Sequence, residues 1–386
     1  MFIKNVKVYG SDQKFRDGGI GIIGDRFDDH ATCDSPSGEI YDGKGCYAVP
    51  GLIDLHFHGA LGEDVCDGTM QAVETIARYE AAEGITAICP ATLTLAVKEL
   101  NDILANMASF RNRQRDGEFL DCADLIGINM EGPFISEVKK GAQNPAYIIP
   151  CDAGIVEEFI DSSEGLLKII GLAPEENPDF ETYIDAVKDK VTVSLAHTNS
   201  DYDTAMRAFA AGAKHAVHLY NAMPELTHRS PGVPGAVSDT PHVCAEIITD
   251  GIHVHPACVR ATFKMNGPER MILISDSLRS TGMPDGRYVL GGQPITKNGK
   301  YCRLVEGGSL AGSVSNLREC MVTAVKEMDI PLETAIACAT INPAKALGID
   351  DEYGTIENGK KADIVLLNDD LSLAAVIKDG KVLRTC

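Results

Sequence analysis

Apolar residues fall along this chain in two distinct textures. Residues 1–49 alternate apolar and polar positions in short runs, "FIKNVKVYG", "GGIGIIGDRF" and "EIYDGKGCYAV", and the tail does the same in "GTIENGKKADIVLLNDD" and "LAAVIKDGKVLRTC". A period of two broken by Gly-Asp, Asn-Gly and Asp-Gly pairs predicts half-buried strands joined by tight turns. Between these ends the apolar runs become short and nearly continuous: "GLIDLHF", "ITAICPA", "DLIGINMEG", "LKIIGLAPE", "VTVSLAHT", "AKHAVHLYNA", "CAEIITDG" and "MILISDS". Helical patterns separate most of them, such as "TMQAVETIARYEAAEG" and "DYDTAMRAFAAGA", the second closed by Gly212. Eight strands apolar on both faces, interleaved with helices, predict a parallel (β/α)8 TIM-like barrel with its helices outside. The expected organisation is a catalytic barrel over 50–349 and a small β-sandwich built from 1–49 and 350–386. An open doubly wound sheet is the alternative, but no Gly-rich fingerprint follows the first strand.

Composition narrows the function rather than the fold. The chain has 386 residues, 44% hydrophobic, with 35 basic and 56 acidic side chains and a net charge of −21. So acidic a surface argues against nucleic acid or an anionic membrane as partner, and an anionic substrate needs a locally positive pocket. "MFIKNVKVYG" has no signal-peptide core, and no apolar run approaches the roughly eighteen residues of a membrane span. Twelve cysteines are scattered without a C-x-x-C pair, often inside apolar runs such as "TAICP" and "TAIACAT". Free thiols in a reducing cytoplasm are the expectation.

The chemistry lies in how the strands end. A barrel enzyme carries its reactive groups at the C-terminal ends of its strands. Here those ends read His56-Phe57-His58, Met130-Glu131-Gly132, Ala196-His197-Thr198, His218-Leu219-Tyr220-Asn221, Asp250-Gly251-Ile252-His253 and Ser275-Asp276-Ser277, taking five of the ten histidines. One strand-end His is commonly a satisfied polar residue, and one Asp a helix cap or a plain ligand. Converging from several strands, Glu131, His197 and His218 form a carboxylate–imidazole set suited to Zn²⁺ or a similar divalent ion, leaving a position open for water. Such an ion lowers the pKa of water from 15.7 towards about 7, and Asp276 can serve as the base that moves the proton. Residues i and i+2 of a strand share a face, so His56 and His58 can both point into the barrel mouth. The class implied is metal-assisted hydrolysis.

The stretches "PGLIDLHFHG", "MEGPFISEVKKGAQNP", "LAHTNSDYD", "GAKHAVHLYNAM", "HRSPGVPGA", "TDGIHVHP", "LISDSLRSTG", "LAGSVSNL" and "INPAKALGI" run in order across nearly the whole chain. Together they resemble the N-acetylglucosamine-6-phosphate deacetylases of the amidohydrolase superfamily. The resemblance implies release of acetate from the 2-acetamido group of the sugar phosphate. It implies that Glu131, His197 and His218 hold the main metal and that Asp276 is general base and then acid. Asn221, Ala222, Arg229 and His253 match positions that bind the sugar phosphate; Ala142 and Leu310-Ala311-Gly312 match others lining the sugar. It further implies a homodimer whose phosphate pocket is completed across the interface, with Arg229 and His253 serving the neighbouring site. Arg suits a phosphate because its planar fork grips two oxygens at once, although an exposed Arg229 in a surface salt bridge is the plain alternative.

Two features depart from or divide that family. Gln143 stands where many members carry His; it can donate a hydrogen bond but cannot carry charge. Both first-strand histidines are present, so a second ion held by His56, His58 and Asp276 is expected. Zn²⁺, Fe²⁺, Mn²⁺ and Co²⁺ all tolerate these ligands. Amidohydrolases of cyclic amides commonly use a carbamylated Lys at the end of the fourth strand; here Lys168 stands at that strand's start. A related N-acetylhexosamine phosphate and a non-catalytic scaffold are the remaining alternatives, although the scaffold reading expects lost ligands and none of the four residues is missing.

Overall fold

The computed structural model describes residues 1–32 and 39–386; Cys33 lies outside them. The eight apolar runs are barrel strands. In order they are Leu52–Asp54, Ile85–Ile88 continued by Ala91–Thr92, Asp124–Leu125 continued by Ile128–Met130, Leu167–Leu172, Thr192–Leu195, His215–Ala216, Cys244–Ile248 and Met271–Ile274. Neighbours pair in parallel along this order. The second strand is interrupted at Cys89-Pro90, where proline has no N–H to give the ladder. Strand ends close the ring: Asp276 N–H donates to His56 O at 2.9 Å, His58 N–H to Ser277 O at 2.8 Å, and Ser275 Oγ to Asp54 Oδ2 at 2.5 Å.

The helices form where the spacing predicted them. Met70–Ala82 starts at Thr69, whose side chain accepts from Ala72 N–H, and buries Val73, Ile76, Ala77, Glu80 and Ala81 on one face. Tyr202–Ala211 is capped by Asp201 and ends at Gly212, whose φ of 128° a side chain would resist.

The two chain ends meet in one eight-stranded sheet, in which Tyr47–Pro50 pairs antiparallel with Ile364–Leu367. Alternation gives this sheet two faces. Ile364, Leu366, Ala375 and Ile377 pack with Ile3, Val6, Ile20 and Ile22, while Val365, Leu367, Val376 and Val49 join the main barrel core.

A third layer is absent from the sequence reading. Gly286–Leu290, Gln293–Asn298 and Tyr301–Leu304 form a three-stranded antiparallel sheet after the eighth barrel strand. Gly291-Gly292 and Gly299-Lys300 make its turns, with Gly291, Gly292 and Gly299 at the positive φ that such tight hairpins require. Its Leu290, Ile295, Cys302 and Leu304 pack on Leu93, Leu278 and Ala311. The Gly-Gly and Asn-Gly pairs were the available signal.

Candidate active site

Three of the residues expected at the metal and the base sit in left-handed backbone: His197 at φ 43°, His218 at 23° and Asp276 at 48°. His and Asp tolerate that region better than most residues, but each such position costs on the order of 1–3 kcal/mol unless its surroundings enforce it. The surroundings do so here. Ser136 N–H donates to His197 O at 2.9 Å, Asn221 N–H to His218 O at 2.9 Å and Ser313 N–H to Asp276 O at 2.7 Å. Each strand therefore turns sharply where its functional side chain leaves it.

Those turns bring the side chains to one floor. Glu131 Oε1 lies 2.8 Å from His197 Nε2 and 2.7 Å from His218 Nε2, and these two nitrogens are 3.2 Å apart. His56 Nε2 lies 3.5 Å from Glu131 Oε1; His58 Nε2 lies 3.5 Å from Glu131 Oε2 and 3.3 Å from Asp276 Oδ1. All six residues are buried. The outer nitrogens fix the tautomers of two rings. A carbonyl can only accept, so His197 Nδ1 donates to Lys139 O at 2.8 Å and His58 Nδ1 to Ala91 O at 3.0 Å. That leaves Nε2 of each to face the floor.

This donor set fits a divalent cation. Two groups, His56–His58–Asp276 and His56–Glu131–His218, offer ligand atoms within 4.8 Å of one another. His56 Nε2 is buried with no hydrogen-bond partner. Imidazole nitrogens crowded around one carboxylate oxygen are arranged as ligands are around an ion, and the mixed N and O donors suit zinc-like metals.

Electrostatics follow from the crowding. Burial pushes the Glu131 carboxyl up, but the charge and hydrogen bond of His197, the bond of His218 and the nearby His56 ring outweigh it and hold it well below the usual range. Burial likewise opposes ionisation of Asp276, and the His58 contact with the nearby imidazolium charge brings it below its ordinary value. Burial favours neutral His58 and His197, yet their carboxylate neighbours raise both.

The expected binding residues divide. Ala142, Gln143, Asn221, Ala222, His253, Leu310, Ala311 and Gly312 line the cleft above this floor together with His58, Glu131, His197, His218 and Asp276. His253 lines the cleft of its own chain. Asp250 holds it there, accepting from His253 Nδ1 at 2.8 Å and from its backbone N–H at 3.0 Å. Arg229 is exposed and stands apart from the lining residues. Gln143 turns its amide inward: Nε2 donates to Glu131 Oε2 at 2.5 Å, while Oε1 accepts from Thr94 N–H at 2.7 Å.

The sequence reading missed Glu246, Leu93, Leu278 and Leu290, and it named Asp250 at a strand end without giving it a role. Only Glu246 left a signal, a carboxylate inside the apolar barrel run "CAEII". The amidohydrolase family model matches residues 47–383. This chain belongs to the amidohydrolase family.

Among the relatives of this amidohydrolase is the N-acetylglucosamine-6-phosphate deacetylase of Vibrio furnissii, 37% identical over 87% of this chain and 82% of the relative. The N-acetylgalactosamine-6-phosphate deacetylase of Escherichia coli O157:H7 is 32% identical over 86% of each chain. Among solved structures, a variant N-acetyl-D-glucosamine-6-phosphate deacetylase from Mycobacterium smegmatis in complex with N-acetyl-D-glucosamine-6-phosphate superposes with a TM-score of 0.91. It is 28% identical, covering 100% of this chain and 99% of that one.

Proposed function

We propose that this amidohydrolase removes the acetyl group of N-acetyl-D-glucosamine 6-phosphate, giving D-glucosamine 6-phosphate and acetate in amino-sugar catabolism. The observation that carries this reading is the placement of Asp276 beside Glu131, His197 and His218 on one buried cleft floor. Glu131, His197 and His218 would hold the main ion, and His56, His58 and Asp276 a second; zinc is our choice from the donors. A divalent ion bound there supplies Lewis acidity to the amide carbonyl and makes water acidic enough to attack near neutral pH. Asp276, kept ionised by its histidine neighbours, takes the proton from the attacking water and returns it to the departing amine. The cleft encloses about 240 Å³, at the small end for ligand sites, which suits one monosaccharide.

Ala142 and Leu310-Ala311-Gly312 would line the sugar, with Asn221, Ala222 and His253 on its phosphate side. Arg229, exposed and outside its own cleft, is assigned to the partner's phosphate in a homodimer. Eleven unpaired cysteines among the described residues support a reducing, cytoplasmic setting, and no described helix is long and apolar enough to cross a membrane.

Acetate release by the metal-loaded protein tests the assignment. N-acetylglucosamine 6-phosphate should far outpace both the unphosphorylated sugar and N-acetylgalactosamine 6-phosphate. Asp276→Asn should lower the rate by roughly 10²–10⁴-fold. Equal turnover of the two sugar phosphates would overturn the sugar assignment, and no release from any of them the reaction itself.

A further inference from the structure

Glu246 is a fully buried carboxylate in the seventh barrel strand, Cys244–Ile248, beneath the cleft floor. Its Oε2 lies 2.6 Å from His56 Nδ1 and accepts the backbone N–H of His218 at 3.0 Å. A backbone N–H can only donate, so Oε2 is an acceptor, and the short contact requires the second proton to sit on His56 Nδ1. The other ring nitrogen is then the one left to ligate. That atom is His56 Nε2, buried, without a hydrogen-bond partner and 3.5 Å from Glu131 Oε1.

We propose that Glu246 is the positioning residue that makes His56 a metal ligand, by pinning the Nδ1 proton and holding the ring with Nε2 turned into the site. A carboxylate behind a ligating imidazole fixes its tautomer and raises its basicity. Among the described residues no other side chain hydrogen-bonds the His56 ring, whose second nitrogen has no partner. The inference deepens the two-ion reading above and rests on it for the stoichiometry, although the tautomer can be measured without any ion.

The experiment pairs metal counting with nitrogen-15 NMR of labelled histidines. Wild type loaded with zinc should hold two equivalents. Glu246→Leu, which removes the acceptor, should keep the first ion and weaken the second by roughly 10–100-fold in chelator competition. Glu246→Gln, which keeps an oxygen acceptor, should recover most of that loss. In metal-free wild type titrated to the pH at which the ring is neutral, His56, assigned by its disappearance in His56→Asn, should keep its one proton on Nδ1. Retention of the second ion by Glu246→Leu at unchanged affinity overturns the proposal, as does loss of both ions together, which marks a general structural role. One equivalent in wild type sinks the two-ion reading; the role of Glu246 then stands or falls on the His56 tautomer. A mixture of tautomers there overturns it, and that measurement needs no Glu246 variant to fold.

Discussion

At Gln143 a single amide serves two partners, holding Glu131 Oε2 with its nitrogen and the Thr94 N–H with its oxygen. It thereby orients the carboxylate whose other oxygen meets His197 and His218. Removing such an outer support commonly weakens a metal site by roughly 10–100-fold. Gln143→Ala should do so in a chelator-competition titration; unchanged affinity would leave Gln143 a role in the cleft alone. The raised His58 and His197 give the site a pH dependence of definite sign. Both hold protons above the ordinary value of 6.5 in the metal-free protein, and a protonated imidazole cannot ligate. Apparent metal affinity should therefore fall as pH drops through those raised values, and added zinc should push the acid limb of activity to lower pH. An acid limb indifferent to zinc concentration would show that some other group controls it.

The element that braces Asp276, the base in the proposed reaction, is the segment Leu310–Ser313 behind the eighth strand. Ser313 N–H donates to Asp276 O at 2.7 Å, and Leu278 N–H returns to Ser313 O at 3.0 Å. Gly312 makes this approach possible: its φ is 51°, and a Cβ there would stand 2.8 Å from the Asp276 carbonyl. Gly312→Ala must shift the base or strain the backbone by roughly 1–3 kcal/mol. If about 1.4 kcal/mol of that reaches the barrier, kcat falls about tenfold. Steady-state kinetics should show the loss in kcat with metal content intact; a change confined to KM would place Gly312 in sugar binding only.

Across the whole molecule, the barrel and the terminal sheet are joined by buried charge. Asp124, from the third barrel strand, accepts from Lys378 at 2.9 Å and Lys361 at 2.6 Å, both from the sheet side, and from Tyr353 at 2.8 Å. Burial opposes its charge, but the two lysines hold its carboxyl far below 3.8. Its contribution is present above that value and lost as pH falls beneath it. Asp363 has the opposite sign. Burial raises it to about 6 against the pull of Lys378, so folding gains from its protonation as pH falls from about 6 towards 3.8. Asp124→Asn leaves Lys361 and Lys378 with Asp379 as their remaining carboxylate and should cost roughly 1–3 kcal/mol, read as an earlier denaturant midpoint. A loss below 1 kcal/mol would mean that apolar packing alone joins the two parts. Asp363→Asn should remove the stability gain between pH 6 and 4.

The sequence by itself determined the barrel, its strand order and most of the cleft floor. Those are local properties: strands covered on both faces must be apolar throughout, and polar residues ending such runs have few places to go but the mouth. The joining of the chain ends was legible too, from their shared period of two. Only the tertiary structure decided which groups support the floor and which of the expected binding residues line the cleft. His56 and Glu246 are 190 residues apart, and neither period nor spacing links them. His253 faces its own cleft because Asp250 holds it there, a rotamer choice that no motif encodes. The sheet over 286–304 packs on Leu93 and Leu278, contacts that exist only once the barrel has closed.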